Sequence, residues 1–163
     1  MKRVTTSPTC ERGWKRTLAD ASGWWKMNFN LLHIPTALLE AVIAHARTEL
    51  PNECCGLLAG STDGRVTRLF PIRNDLASPT AYLTNARDLL DAMKSARAEG
   101  IEFLAIYHSH PASEPIPSKT DLANNTWGET AMHVIVGLAG TEASVRGWWL
   151  GEKEFQEADI VVV

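Results

Sequence analysis

The stretch Ile101-Glu102-Phe103-Leu104-Ala105-Ile106-Tyr107-His108-Ser109-His110-Pro111, followed after six residues by Ser118 and three later by Asp121, decides how this chain reads. The apolar run from Ile101 to Tyr107 predicts a strand at the centre of a sheet, buried on both faces. Where it ends, His108 and His110 stand two residues apart, and alternation along an extended chain turns both imidazoles to one side. Farther on, the carboxylate of Asp121 can return as a third ligand. Two histidines and a carboxylate, with a fourth position left to water, are the ligand set of a catalytic zinc rather than a structural one. The end of a strand is also where sites form in α/β sheets.

Working outward, Pro35 opens a helix with Leu38, Leu39, Val42, Ile43, Ala46 and Leu50 on one face, and Pro51 stops it. An apolar strand around Gly56 to Ala59, a turn at Asp63-Gly64 and a strand from Arg65 to Ile72 predict a hairpin. Asn74 to Pro79 reads as loop, with Tyr82-Leu83 a candidate short strand. A second helix is capped by Asn85 and ended by Gly100, with Leu89, Leu90, Met93 and Ala96 or Arg97 along its face. Ser118 starts a short third helix. Met132–Leu138, Ser144–Leu150 and Phe155–Val163 follow as strands. The fold class is α/β, a mixed β-sheet flanked by helices.

The composition, 45% hydrophobic and 21% charged over 163 residues, is that of one ordinary globular domain. No apolar run reaches the ~18 residues of a membrane span. Cys10, Cys54 and Cys55 do not make a disulfide framework, because the count is odd and two are adjacent. This suits a reducing, cytoplasmic compartment, with Cys54 and Cys55 expected to be buried, inert thiols. Residues 1–26 carry six Lys/Arg against two Asp/Glu, a formal +4, whereas the remainder carries ten against seventeen, a formal −7. An acidic body argues against nucleic acid as a partner. The basic start has no apolar core, so it is not a secretory signal. It reads as a disordered tail, a partner-binding arm, or an extension that is not translated. The last is preferred, since Met27 directly precedes the segment that reads as folded protein.

Each candidate ligand has a plainer alternative. Ser118-Lys119-Thr120-Asp121 is also a capping box in form, with Ser at the N-cap and an acid at N3. A helix start there would present both side chains to a strand-end site, so ligation and capping can coexist. Glu53, in Asn52-Glu53-Cys54-Cys55-Gly56, could be a surface acid at a helix-to-strand turn. His133, in an apolar strand, reads as a satisfied core histidine rather than a ligand. Ser109 and Pro111 are expected to shape the loop, and His33 and His45 carry no signal.

The array of Glu53 with His108-Ser109-His110-Pro111, Ser118 and Asp121 resembles the JAMM (MPN-plus) metalloproteases over roughly Met27 to Val163. The resemblance implies a curved sheet between helices, related to the cytidine-deaminase fold, and one zinc held by His108, His110 and Asp121. It places Glu53 facing the metal as the general base and Ser118 as the donor that steadies the developing oxyanion. The reaction it implies is amide or isopeptide hydrolysis beside a ubiquitin or ubiquitin-like protein. Only eleven residues separate Asp121 from His133, which leaves little room for a loop that grips polyubiquitin. The chain resembles the compact members of the family more closely, and that resemblance implies the Gly-Gly tail of a small ubiquitin-like or sulfur-carrier protein as the substrate. A scaffold that has lost its ligands is the alternative from another class; a general zinc peptidase is a third reading. A deaminase-like hydrolase would want a Cys-x-x-Cys, which Cys54-Cys55 does not supply.

Overall fold

A computed structural model of the protein describes residues 31–128 and 131–163. In chain order the elements are β1 (Leu31–Ile34), α1 (Thr36–Thr48), β2 (Cys55–Ser61), β3 (Arg65–Ile72), α2 (Ala86–Glu99), β4 (Glu102–His110), α3 (Lys119–Ala123), β5 (Met132–Gly137), β6 (Ser144–Leu150) and β7 (Phe155–Val162). The strands lie in the order β1-β3-β2-β4-β5-β6-β7 and close on themselves. β1 completes the ring, running parallel to β7 over four residues and touching β3 at His33↔Arg65. The sheet is mixed, as expected: β4 and β5 are parallel, while the β2–β3, β2–β4, β5–β6 and β6–β7 pairs are antiparallel.

Alternation along the strands sorts the core onto two faces. On the inner face, Leu32, Ile34, Leu58, Tyr107, Val134 and Val136 pack with Val42 and Ala46 of α1. On the outer face, Cys55, Leu57, Ile72 and Ile106 pack with Ala92 of α2. Farther along the same face, Ile135, Trp148 and Leu150 receive Leu122 of α3. The register of β2 against β4 skips Leu104, a bulge that sends both Leu104 and Ala105 inward.

Several expectations are corrected. The hairpin and both long helices form, but β1 was not anticipated. Helix α1 stops at Thr48, so Leu50 lies outside it and is exposed. Leu90 and Met93 are exposed too, because α2 approaches the sheet through the small side chains of Ala92 and Ala96. Tyr82-Leu83 is not a strand; the segment makes only an isolated bridge between Asn74 and Thr84. Strand β4 continues through His110 rather than ending at Tyr107. Asn85 does cap α2, accepting from the backbone N–H groups of Arg87 and Asp88, and Gly100 ends it at φ 66°, where a side chain would be strained.

Candidate metal centre

Strand β4 delivers both histidines in its last three residues. It is paired on either side, His108 lying opposite Cys55 of β2 and Ile135 of β5. This central position makes the strand rigid, and its pleat turns His108 and His110 toward the face covered by α2 and α3. Parallel strands need a crossover, and the chain between β4 and β5 passes back over this face carrying Ser118 and Asp121.

The start of α3 shows that capping and convergence on the histidines coexist. Ser118 Oγ accepts from the Asp121 N–H at 3.1 Å, and Asp121 Oδ2 accepts from the Ser118 N–H at 2.6 Å. The same carboxylate places Oδ1 3.3 Å from His108 Nε2 and Oδ2 3.3 Å from His110 Nε2. The two Nε2 atoms are 3.2 Å apart. All three residues are buried and their ligand atoms fall within 4.8 Å of one another. The edge of a tetrahedron with zinc–nitrogen arms of ~2.0–2.1 Å is about 3.3 Å, so these spacings suit that ion.

The tautomer of His110 fits as well. Its Nδ1–H donates to the carbonyl oxygen of Glu114 at 2.9 Å, which leaves Nε2 with a lone pair facing inward. His108 is held by a stacked ring, Tyr82, at 4.8 Å between centroids. Burial would raise the Asp121 carboxyl, but the imidazoles of His108 and His110 and the Ser118 N–H beside it outweigh that and hold the group well below the usual carboxylate range. Asp121 is therefore an anion set against two imidazoles in a dry place. A divalent cation satisfies all three.

Glu53 comes from the turn ahead of β2 and is buried, not a surface acid. Its backbone is fixed at both ends: its N–H donates to Ser78 O, and its carbonyl accepts from Asn74 Nδ2 at 3.0 Å. One residue on, the Cys54 N–H donates to Ser109 Oγ at 2.9 Å, tying this turn to β4. Ser109 thus sits within β4, on the face opposite the histidines, and anchors the Glu53 turn instead of shaping a loop. Glu53 Oε2 is buried without a protein partner. Burial pushes this carboxyl up to about 7, with the charge of His110 pulling it down and that of Asp121 pushing it up. A carboxylate in electrostatic contact with two ligands, with one oxygen bare, is placed to exchange a proton near neutral pH.

Cys54 and Cys55 are buried as expected, and burial pushes both thiols up to about 12. Neither is a thiolate at neutral pH, which excludes them as nucleophiles. His133 is corrected: it lies outside the ligand group, but it is not satisfied, since both ring nitrogens are buried with no protein partner. The apolar strand pattern conveyed its burial and could not convey its neighbours.

Three contributors escaped the sequence reading. Asn74 uses its whole amide: it donates to Glu53 O and Ala81 O and accepts from the N–H groups of Leu76 and Leu83. It thereby orders the loop that carries Tyr82. Trp148 Nε1–H donates to Pro115 O at 2.8 Å, pinning the segment between His110 and Ser118. The only signal for Tyr82 is a lone aromatic in a polar loop, and for Asn74 an Asn-Asp pair opening one.

Comparison with known proteins points the same way. A family described as prokaryotic homologues of the JAB domain matches residues 35–151. A probable TtuB-protein conjugate cleaving protease of Thermus thermophilus is 41% identical over 114 residues, covering 69% of this chain and 74% of the relative. A desampylase of Haloferax volcanii is 30% identical over 142 residues, covering 83% of this chain and 99% of the relative. A solution structure of a Desulfitobacterium hafniense protein superposes with a TM-score of 0.74 at 30% identity, covering 81% of this chain and 92% of that one.

Proposed function

The chain belongs to the family of prokaryotic homologues of the JAB domain, among the JAMM/MPN-plus proteins, and from that membership we propose a zinc-dependent peptidase. It hydrolyses the amide bond after the C-terminal Gly-Gly of a small ubiquitin-like or sulfur-carrier protein. Relatives named for cleaving a protein conjugate and for removing one support the substrate class. The observation that carries the reading is the convergence of His108, His110 and Asp121 within 4.8 Å, beside a buried Glu53 with an unpartnered oxygen.

His108 and His110 would hold one zinc ion through Nε2 and Asp121 through its carboxylate, and the bound ion supplies Lewis-acid polarisation of the scissile carbonyl and an acidified water. Glu53 takes the proton of the attacking water and passes it to the leaving amine. Its raised pKa suits both halves of that task. Ser118 Oγ already accepts from the Asp121 N–H, so its own proton is free to donate to the carbonyl oxygen as charge develops there. Peptide-bond cleavage consumes one water, and no acyl-enzyme forms.

β4 is flanked by β2 and β5, so it offers the tail no free edge at the histidines. Glycines at the end of the tail permit close approach to the cluster. The formal charge of −7 outside residues 1–26 and the free Cys54 and Cys55 favour a protein substrate in the cytoplasm over nucleic acid. No helix among the described residues is long and apolar enough to cross a membrane.

The test is cleavage of a small β-grasp carrier joined through its Gly-Gly end to a lysine or a peptide. Cleavage should require zinc and stop with a chelator, and replacing the last glycine by a bulky residue should slow it strongly. Equal rates on the two tails would overturn diglycine specificity and leave a general peptidase.

A further inference from the structure

His133 is 1% exposed, and neither of its ring nitrogens has a partner among the described residues. His108 Nδ1 is in the same condition. In the parallel pairing of β4 with β5, His133 lies opposite Ile106 and His108 opposite Ile135. Side by side in register, these residues share one face, so the two imidazoles are diagonal neighbours on it. Ile106 and Ile135 lie along the strands, Trp148 lies beside His133 in β6, and the Asp121 carboxylate and the Tyr82 ring lie against His108. Three nitrogens without a partner thus share one buried face.

A histidine that binds metal through Nε2 carries its proton on Nδ1, and that N–H ordinarily donates to an outer group that fixes the ring. For His110 the group is Glu114 O. For His108 no protein acceptor is present among the described residues, although the ring is buried and its orientation matters equally. A neutral His133 ring offers one N–H and one bare nitrogen.

We propose that His133 is the positioning residue for metal ligand His108, acting through ordered internal water that accepts from His108 Nδ1–H and donates to the bare nitrogen of His133. Water bound in this way has the two polar partners that a buried water requires. The inference rests on the metal reading above.

The experiment measures zinc affinity by chelator competition for the wild-type chain, H133L, H133Q and H110A. Loss of an outer partner typically weakens metal binding about 10–100-fold. That is the expectation for H133L, with the melting temperature of the metal-free protein unchanged or higher because two buried orphan nitrogens are gone. H133Q, whose amide can hold the same water, should recover most of the affinity. H133L within about twofold of wild type, with H110A losing zinc, overturns this inference and leaves the metal site standing. A wild-type chain that takes no zinc, or an H110A chain that keeps it, overturns both. Should H133L fail to fold, ring NMR of the zinc-loaded wild type decides. A slowly exchanging His108 Nδ1 proton with a cross-peak to bound water supports the link, and a proton without that cross-peak overturns it.

Discussion

At the scale of single residues, Glu53 and Ser118 differ in what their removal should expose. Glu53→Gln keeps the shape of the side chain but cannot take a proton. Turnover should vanish while zinc content, read by elemental analysis, stays at the wild-type level; normal cleavage would show that another group is the base. The same substitution has a second readout in the metal-free protein. Burial raises the folded-state pKa of Glu53 from 4.5 to about 7, so the fold favours the protonated acid. The stability associated with that proton is fully present below the unfolded value and is lost as pH rises through about 7. Melting temperature should therefore fall across neutral pH, and Glu53→Gln should shrink the fall. Ser118→Ala removes one donor to the developing oxyanion, which typically costs on the order of 10²-fold in kcat. It also removes the N-cap, worth roughly 0.5–2 kcal/mol, so a fall in both kcat and melting temperature is expected. A change in melting temperature alone would reduce Ser118 to a cap.

At the scale of elements, the segment between β4 and α3 holds the ligands together because it is clamped along its length. Leu138 N–H donates to His110 O, His110 Nδ1–H to Glu114 O, and Trp148 Nε1–H to Pro115 O. Gly137 lets the segment lie close: a Cβ there would stand 2.6 Å from Pro115 Cδ and 2.8 Å from Pro115 N. Gly137→Ala should push the segment off the sheet and shift His110 relative to Asp121. Misplacement by about 1 Å can cost 10²-fold in rate, so kcat/KM should fall by roughly that much, and zinc should be held more weakly. A variant with wild-type kinetics would show that the segment is not held against β5. This clamp was illegible in the sequence. Periodicity located six of the seven strands and the two long helices, and capping chemistry placed Asn85, Gly100 and Ser118. Which side chains meet across strands distant in the chain was beyond it. That is why Leu90 and Met93 stand beside Leu89 and Ala96 in the expected face of α2, when Ala92 takes their place in the contact, and why His133 reads as satisfied. That His108 and His110 turn to one side was legible because chemistry and alternation coincide within one short run, whereas the return of Asp121 to them depends on the crossover between β4 and β5. Glu53 was legible only through resemblance, since its burial depends on Asn74, Ser78 and Ser109, each far from it in sequence or unremarkable in type.

At the scale of the whole molecule, closure of the sheet lets a short strand do structural work out of proportion to its length. Leu32 and Ile34 of β1 are fully buried in the inner core, and β1 supplies the last pairing, with β7. Its four residues carry no alternation long enough to read, and its partner is the far end of the chain. The unit that needs to be intact thus includes β1. The proposed ligands, base and oxyanion donor, the clamp and both core faces lie between there and Val163, and the family match runs over residues 35–151. Residues 1–26 lie outside the described residues, and their formal charge of +4 is opposite in sign to that of the rest. We therefore propose residues 27–163 as the catalytic domain. Starting the chain at Met27 should leave melting temperature, zinc content and cleavage of the carrier fusion nearly unchanged, each measured beside the full chain. A large fall in melting temperature would mean that the tryptophans at 14, 24 and 25 pack on the domain. Loss of cleavage with melting temperature and zinc preserved would mean that the basic segment helps to capture an acidic substrate, an effect that added salt should mimic in the full chain.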